Sequence, residues 1–156
     1  MFGKLTTNEV EGLIHEQFIG RVGCHADDTT YVVPISYAYD GEYIYGHTLE
    51  GMKINIMRKN PKICFEVDST TNLSNWQSVI AWGEFEELGA GFERNEALRK
   101  LEARKLPMLK SETMKLTPEW PFPSDVSEID GIVFRIRLGE KTGRFEKSGG
   151  RYFYAT

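Results

Sequence analysis

The stretch PISYAYDGEYIYGHTLEGMKINIMRKNPKICFEVD, residues 34–68, contains the pattern from which we predict the fold. Residues 31–39 form a β-patterned run that has Pro34 inside it and ends at Asp40-Gly41. An Asp-Gly pair between two such runs is a strong signal for a two-residue hairpin, so residues 42–48 are the antiparallel partner. The stretch therefore begins with a hairpin whose first strand contains a proline.

The period of the pattern changes after this hairpin. Residues 51–60 place apolar side chains at helical spacing and predict a helix of about ten residues. Asn60-Pro61 ends the helix, because a residue before proline is driven out of the helical region. Residues 62–69 then alternate apolar and polar side chains, as a half-buried strand does. The start of the helix thus lies between two strands, at the rim of the predicted sheet.

Further helices and strands are predicted on both sides of this stretch. A short amphipathic helix follows Thr7 or Asn8 as its cap, and Gly83 lies inside a long strand as a position for a bulge or bend. The further strands are residues 18–26, 76–88 and 131–140, and a charged helix with Phe92, Leu98, Leu101 and Leu106 on its docking face covers 91–109. About six strands and three helices, joined by short turns, predict a mostly β fold, a six-stranded antiparallel barrel with peripheral helices.

The composition of the chain limits its expected domain number, partners and location. With 156 residues and 40% hydrophobic content, the chain is expected to form a single domain over residues 1–156. A net charge of −4 argues against a nucleic-acid partner. No apolar run approaches the ~20 residues that span a membrane, and the first residues lack a secretory pattern, so we predict a cytoplasmic protein without a membrane partner. Cys24 and Cys64 lie in apolar runs and are interpreted as buried thiols.

Pro34 admits two interpretations. Proline has no N–H to donate to a β-ladder, so it belongs at an edge strand or a bulge. In one interpretation it only protects the edge strand from aggregation. In the other, the backbone groups of Val33, Ile35 and Ser36 are left to pair with a flat ligand. The proline alone does not decide between them.

The residues around Gly46 and Gly51 suggest an anion site. Thr48, Gly51 and Lys53 surround the start of the predicted helix, and His47 precedes them. A helix N-terminus carries unpaired N–H groups and a partial positive charge, which favour a phosphate. A lone surface lysine is usually only solvated and a lone histidine is usually structural. Their combination at this spacing is what favours phosphate binding.

The order of these features resembles a known family. A proline-containing strand, the run YGHTLEGMK and the strand NPKICFEV, in this order, resemble the pyridoxamine 5′-phosphate oxidase-like FMN-binding split barrels. The resemblance extends from about Leu5 to Phe145. It is strongest to the short branch that includes nitroimidazole-resistance and general flavin-nucleotide-binding proteins. It implies a split β-barrel that binds FMN at a homodimer interface, with each site drawing on both chains.

The resemblance also assigns roles to individual residues. It implies that backbone groups of one strand face the isoalloxazine ring, namely Val33, Pro34, Ile35 and Ser36. It implies that the phosphate is held by His47, Thr48 and Lys53 with the backbone of Gly51. The positions that approach the flavin from the neighbouring subunit are Trp76, Ser78 and Val79. Arg21 and, in the segment KTGR, Arg144 are further candidates for contact with the phosphate or the ring.

The chain departs from the family pattern at two points. Pyridoxamine phosphate oxidases end with a substrate segment that contains arginine and histidine, whereas no histidine follows His47 in this chain. This argues against specific oxidation of the vitamer phosphate. Met52 replaces the second lysine that commonly follows the glycine, which leaves Lys53 alone in the turn.

The segment PEWPFP, residues 118–123, is either a structural loop or an aromatic lid over the ring.

Two functional hypotheses follow. The first is an FMN-dependent oxidoreductase that acts on a small-molecule substrate or takes electrons from a nicotinamide donor. Because the flavin carries the redox chemistry, no catalytic residue is assigned. The second is a module that binds or senses FMN, haem or another tetrapyrrole without turnover. The spacing of the three histidines and two cysteines matches no zinc pattern, so no metal site is assigned.

Overall fold

The computed structural model describes residues 1–104 and 126–149. The strands are β1 (Phe2–Lys4), β2 (Ile19–Ala26), β3 (Thr29–Ser36), β4 (Ala38–Tyr39), β5 (Tyr43–Thr48), β6 (Lys62–Asn72), β7 (Asn75–Leu88) and β8 (Ile132–Lys147). The helices are α1 (Thr7–Glu16), α2 (Met52–Lys59) and α3 (Phe92–Glu102), with a 3₁₀ turn at Val126–Glu128. No helix within these residues is long and apolar enough to cross a lipid bilayer.

All strand pairings are antiparallel and form one sheet, in the order β3-β2-β6-β7-β8-β5-β4, with β1 added on β8. The sheet curls around one apolar cluster, to which β2, β3, β5, β6, β7, β8, α1 and α2 all contribute buried side chains. The fold is a mostly β split barrel with peripheral helices, and the predicted fold class is confirmed.

The described residues contain eight strands, two more than we predicted, for identifiable reasons. Residues 31–39 were expected to form one strand, but Tyr37 separates β3 from β4. Its side chain is 1% exposed and its hydroxyl donates to the Ile14 carbonyl oxygen at 2.6 Å. This inward anchor interrupts the edge strand. The second addition is β1, which pairs with the end of β8, and β8 itself continues to Lys147 instead of ending at residue 140.

The start of α1 also differs from the prediction. Thr6 is the N-cap, not Thr7 or Asn8. The Thr6 hydroxyl accepts from the Glu9 N–H, and the Glu9 carboxylate accepts from the Thr6 N–H at 2.7 Å. This reciprocal pair is a capping box, in which two otherwise unpaired donors are satisfied. The N-terminus of α1 is therefore closed by its own side chains.

The turn and breaker signals in the sequence are confirmed, except that the two turn residues of the hairpin are Gly41 and Glu42, one position later than predicted. Asp40 Oδ1 accepts from the backbone N–H groups of Glu42 and Tyr43, at 2.9 and 2.8 Å, and Gly41 has φ = 96°. α2 ends at Lys59 with Asn60 as its C-cap. The register of β7 against β8 shifts between Ala81 and Gly83, which is the predicted bulge.

The prediction for the charged helix is confirmed in part. Leu98 and Leu101 are buried in a second cluster with residues of β4, β5, β7 and β8. Phe92, however, is 76% exposed, because it lies at the first position of α3 on the solvent side. Leu106 and the segment PEWPFP lie outside the described residues.

Asp40 links this helix to the hairpin and gives the fold a pH dependence. Its carboxylate accepts from the Tyr45 hydroxyl at 2.6 Å and from Lys100 Nζ at 2.8 Å. Burial alone would raise the pKa of Asp40, but hydrogen bonds from Lys100, Tyr45 and the backbone outweigh it and hold this pKa well below its ordinary value of 3.8. A carboxyl with a lowered folded-state pKa stabilises the fold above its unfolded pKa and loses that contribution as the pH falls.

We therefore expect the Asp40→Asn variant to be less stable than the wild type near neutral pH. The difference in free energy of unfolding between the two should shrink as the pH falls from about 5 to about 2. Urea unfolding of both proteins across this range measures it. A difference that stays constant, or grows, would show that the hydrogen bonds of Asp40 contribute no stability through its ionised form.

Candidate functional site

The junction between β5 and α2 leaves a helix start that no side chain caps. β5 ends at Thr48, and the loop leads to Gly51, the N-cap of α2, which has an extended backbone and makes no side-chain cap hydrogen bond. No acidic residue lies in the first turn of α2. In α1 the equivalent N–H groups are satisfied by the capping box. The backbone donors at the start of α2 are thus directed towards whatever lies beyond the loop.

Lys53 lies in this first turn and is half-buried. Within residues 1–104 and 126–149, the structure provides no hydrogen-bond acceptor or carboxylate for its ammonium group. Its neighbours on the helix differ, because Arg58 and Lys59 are both ion-paired. A cation beside an uncapped helix start produces a local positive potential that suits an anion.

His47 and Thr48 are held by the loop that precedes β8. His47 Nε2 lies 2.6 Å from the Asp130 carbonyl oxygen, and since a carbonyl only accepts, this nitrogen carries the proton. Gly131 has φ = +94°, and a Cβ there would lie 2.8 Å from the Thr48 carbonyl oxygen and 2.9 Å from His47 Nε2. Arg94 donates to the Ile129 carbonyl oxygen at 2.5 Å and ties this loop to α3. The loop that precedes β8 therefore fixes the position of the end of β5.

The proline-containing strand β3 is an edge strand of the sheet. It pairs with β2 alone among the described strands, and Pro34 lies opposite Arg21 in that pairing. The Pro34 side chain is exposed, whereas Ile35 is 7% exposed and Val33 packs against the core. The side chains of Val33 and Ile35 therefore face the core and not the open edge.

The hydrogen-bond alternation of the strand identifies which backbone groups face outward. The Tyr37 N–H donates to the Phe18 carbonyl oxygen at 3.1 Å, so this pair is a bonded one, and bonded pairs alternate with non-bonded pairs in an antiparallel ladder. Val33 and Ile35 are then bonded to β2, so the expectation that their backbone groups are left to pair with a ligand is wrong. Pro34 and Ser36 occupy non-bonded positions, and their backbone groups face the open edge. The Ser36 hydroxyl is occupied, since Arg104 donates to it at 2.6 Å. This edge offers one carbonyl at Pro34 and an N–H with a carbonyl at Ser36.

Arg21 lies on the outer face of the sheet and is paired within the chain. Its Nη1 is 2.7 Å from Asp68 Oδ1 and 3.5 Å from Glu66 Oε2. The Ser78 hydroxyl donates to Glu66 Oε1 at 3.3 Å. Burial and the neighbouring Asp68 raise the pKa of Glu66, while Arg21 opposes this shift. The charge of Arg21 is therefore largely compensated by carboxylates that we did not assign to the site from the sequence.

The remaining assigned residues lie on β7 and β8. Trp76 is half-buried, donates from Nε1 to Glu146 Oε2 at 3.1 Å, and meets the ring of Phe2 edge to face. Val79 is fully buried in the core, so only its backbone is available. Arg144 lies opposite Ser78 and, within the described chain, has no carboxylate partner.

The site residues thus form two groups. We call His47, Thr48, Gly51 and Lys53 the rim group, and Arg21, Trp76, Ser78 and Arg144 the outer-face group. No hydrogen bond or ion pair between described residues joins the two groups. The rim group lies at the junction of β5 and α2, whereas the outer-face group lies on β2, β7 and β8, and the sheet order separates β5 from β7 by β8.

The outer face of the sheet also exposes large apolar side chains. Val32 is 65% exposed, Trp82 is 46% exposed and Ile80 is 38% exposed. Beside them, a cleft of about 1060 Å³ is lined by residues of β2, β6, β7 and β8, including Cys64 and Trp82. Val32 and Trp82 lie in one cross-strand row with Gly23 and Cys64 between them, so these exposed positions are neighbours on the sheet face.

The cysteines, and the acidic residues that the structure describes, show neither an activated nucleophile nor a metal site. Burial raises the pKa of the Cys24 and Cys64 thiols, so neither is activated as a nucleophile. Across the part of the chain that the structure describes, no group of three or more histidine, cysteine, aspartate or glutamate side chains is arranged to hold a metal ion.

Residues 6–145 match the family model described as pyridoxamine 5′-phosphate oxidase, which covers most of the chain. The chain belongs to the pyridoxamine 5′-phosphate oxidase family. The resemblance that the sequence motifs carried is confirmed, and so is the extent over which it was expected.

Proteins similar to this chain have a comparable length, and solved structures share its fold. An uncharacterized protein of Rhizobium meliloti is 29% identical over 157 residues, which cover 93% of this chain and 95% of that protein. The crystal structure of an FAD-binding protein from Mesorhizobium loti superposes with a TM-score of 0.73 at 26% identity, covering 94% of this chain and 99% of that one. A candidate 5-nitroimidazole antibiotic resistance protein from Bacteroides thetaiotaomicron gives a TM-score of 0.70 at 18% identity, with coverage of 93% and 87%.

Proposed function

We propose that the protein is a flavoprotein that binds FMN, with the phosphate at the rim group and the ring along the edge of β3. The observation that carries the proposal is the start of α2, where an uncapped helix N-terminus adjoins Lys53, a half-buried cation without a partner among the described residues. Membership of the pyridoxamine 5′-phosphate oxidase family and the FAD-binding protein of Mesorhizobium loti among its structural neighbours support a flavin as the ligand.

The rim group matches the chemistry of a phosphate. A phosphate monoester carries close to two negative charges near neutral pH and offers several acceptor oxygens. Lys53 supplies a full positive charge, and the first N–H groups of α2 supply donors. The Thr48 hydroxyl, which donates to the Leu49 carbonyl oxygen at 3.2 Å, can supply another by rotating away from that carbonyl. His47 donates from Nε2 to the Asp130 carbonyl, so any contact it makes with a ligand uses the rest of the ring.

The edge of β3 matches the polar edge of the flavin ring. The pyrimidine part of the ring carries an N–H donor flanked by two carbonyl acceptors. The Pro34 carbonyl can accept from such a donor, and the Ser36 N–H can donate to such an acceptor. Because proline adds no N–H of its own, this edge offers an acceptor at that position without a competing donor.

A second copy of the chain would complete the site. The outer-face group and the exposed Val32, Ile80 and Trp82 provide a surface that a partner subunit can cover. We propose a homodimer in which Trp76, Ser78, Val79 and Arg144 of one chain approach the flavin held by the rim group of the other. Arg144 would then add an uncompensated cation, which Arg21, paired with Asp68 and Glu66, does not provide.

The bound flavin would supply the electron-transfer chemistry, and the protein would supply binding, orientation and electrostatics. We propose that the protein is an oxidoreductase that acts on a small-molecule substrate, with a nicotinamide cofactor as a source of electrons. The described residues offer no obvious acid–base pair, which is compatible with chemistry carried by the flavin.

Spectroscopy and light scattering of the purified protein test this proposal together. We expect a yellow dimer that releases FMN, identified by mass after heat denaturation, and whose flavin band near ~450 nm bleaches with NADH or NADPH and recovers in air. A band that is retained but never bleaches would support the alternative of binding without turnover. Release of FAD instead of FMN, or of haem, would contradict the proposed cofactor. A flavin-bound monomer would contradict the proposed dimer.

A further inference from the structure

Arg58, on α2, joins two carboxylates that flank the rim group. Its Nη1 and Nη2 donate to the two oxygens of Glu50, each at 2.9 Å. Its Nε and Nη2 donate to the two oxygens of Glu87, each at 2.7 Å. The guanidinium is therefore bidentate to both partners at once, which is the geometry in which an arginine–carboxylate pair is strongest and best defined.

The position of Glu50 gives this bridge a consequence for an anion. Glu50 lies in the loop between Thr48 and Gly51, directly before the uncapped start of α2. A free carboxylate there would repel a bound phosphate and would offer acceptors to the same N–H groups that the phosphate needs. In the structure both oxygens of Glu50 are instead directed to Arg58.

Glu87 gives the bridge an anchor on the sheet. It lies near the end of β7, and Glu87 and Arg58 are each 37% exposed, whereas Glu50 is 64% exposed. The bidentate contact with Arg58 holds the pKa of the Glu87 carboxyl below its ordinary value. The loop is thereby tied through one side chain to a long strand of the barrel. Lysine has no planar fork and could not serve both carboxylates in this way.

We propose that Arg58 is a positioning residue of the phosphate site. It holds the Glu50 carboxylate away from the start of α2, neutralises its charge and fixes the loop between Thr48 and Gly51 against β7. This inference rests on the proposed flavin-phosphate function of the rim group. It assigns to Arg58 no contact with the ligand itself.

Binding of FMN and of riboflavin, which lacks the phosphate, separates this role from a general effect on the fold. We expect Arg58→Met to weaken FMN binding by about tenfold and to leave riboflavin binding unchanged. The double variant Glu50→Gln/Arg58→Met should recover most of the lost FMN affinity, because the unmasked charge is gone. Arg135→Met is the matched control, since Arg135 also bridges two carboxylates, Glu86 and Glu93, away from the rim group. It should leave FMN affinity unchanged.

Several results would overturn the inference. FMN affinity equal in Arg58→Met and the wild type would remove the role of Arg58. Equal losses for FMN and riboflavin, or no recovery in the double variant, would reduce Arg58 to a structural brace. If Arg58→Met does not fold, Arg58→Lys retains the charge without the fork, and we expect about threefold weaker FMN binding from it. Unchanged binding by that variant would contradict the bridge, whereas a wild type that binds neither flavin would refute the proposed function instead.

Discussion

Replacing Lys53 with alanine is expected to weaken FMN binding by roughly 10- to 100-fold, because a charge-assisted hydrogen bond contributes about 1.5–3 kcal/mol. Riboflavin binding should be unchanged, since it has no phosphate for Lys53 to contact. The fold should also be unaffected, because the ammonium group has no partner among the described residues to lose. Fluorescence titration of both flavins with the variant and the wild type measures the effect.

Lys59→Ala is the matched control for this prediction. Lys59 lies at the other end of the same helix and forms an ion pair with Asp27, away from the uncapped start. Its removal should leave FMN affinity within about twofold of the wild type, as expected for an exposed ion pair. If Lys53→Ala and Lys59→Ala bind FMN equally well, the phosphate does not lie at the start of α2.

Replacing Gly83 with alanine is expected to destabilise the fold strongly. A Cβ at this position would overlap the backbone carbonyl oxygen of Arg137 and would lie 3.0 Å from Ile136 Cγ2. Backbone of a neighbouring strand cannot move aside as a flexible side chain can, and the bulge between β7 and β8 sits at this point. We expect a loss of about 3 kcal/mol in the free energy of unfolding, at the upper end of overpacking effects.

Gly12→Ala provides a control of opposite sign. Gly12 lies within α1, and a Cβ there would meet no atom within 4 Å. Alanine in place of glycine inside a helix should raise the free energy of unfolding by roughly 0.5–1 kcal/mol. Urea unfolding of both variants gives the comparison. A Gly83→Ala protein as stable as the wild type would mean that the close approach of β8 to this glycine is not a constraint on the fold.

Features of the fold that depend on local backbone chemistry were predictable from the sequence. The hairpin at Asp40-Gly41, the end of α2 before Pro61 and the bulge at Gly83 all follow from what one or two residues can do. The break in the strand at Tyr37 does not, because it depends on a hydrogen bond to Ile14 from a different element. An aromatic residue in a β-patterned run carries no local sign that its hydroxyl will be buried.

In the candidate site, too, some features could be predicted from the sequence and others could not. The rim group could be proposed because its residues are close in the sequence and surround one helix start. The compensation of Arg21 by Asp68 and the bridge from Arg58 to Glu87 join residues 29 or more positions apart. The alternation in residues 62–69 does place Glu66 and Asp68 on one face, so the first pairing had a partial signal. The Arg104 contact with Ser36 had no such signal, because it joins the segment after α3 to the end of β3.

The proposal on which the others depend is that an anionic cofactor tail is held where α2 begins. Titration of the wild-type protein, freed of bound ligand, with FMN and with riboflavin under the same conditions tests it most directly. We predict that FMN binds at least about tenfold more tightly than riboflavin, since one charge-assisted hydrogen bond alone contributes that much. Equal affinities for the two flavins, or no binding of either, would contradict it.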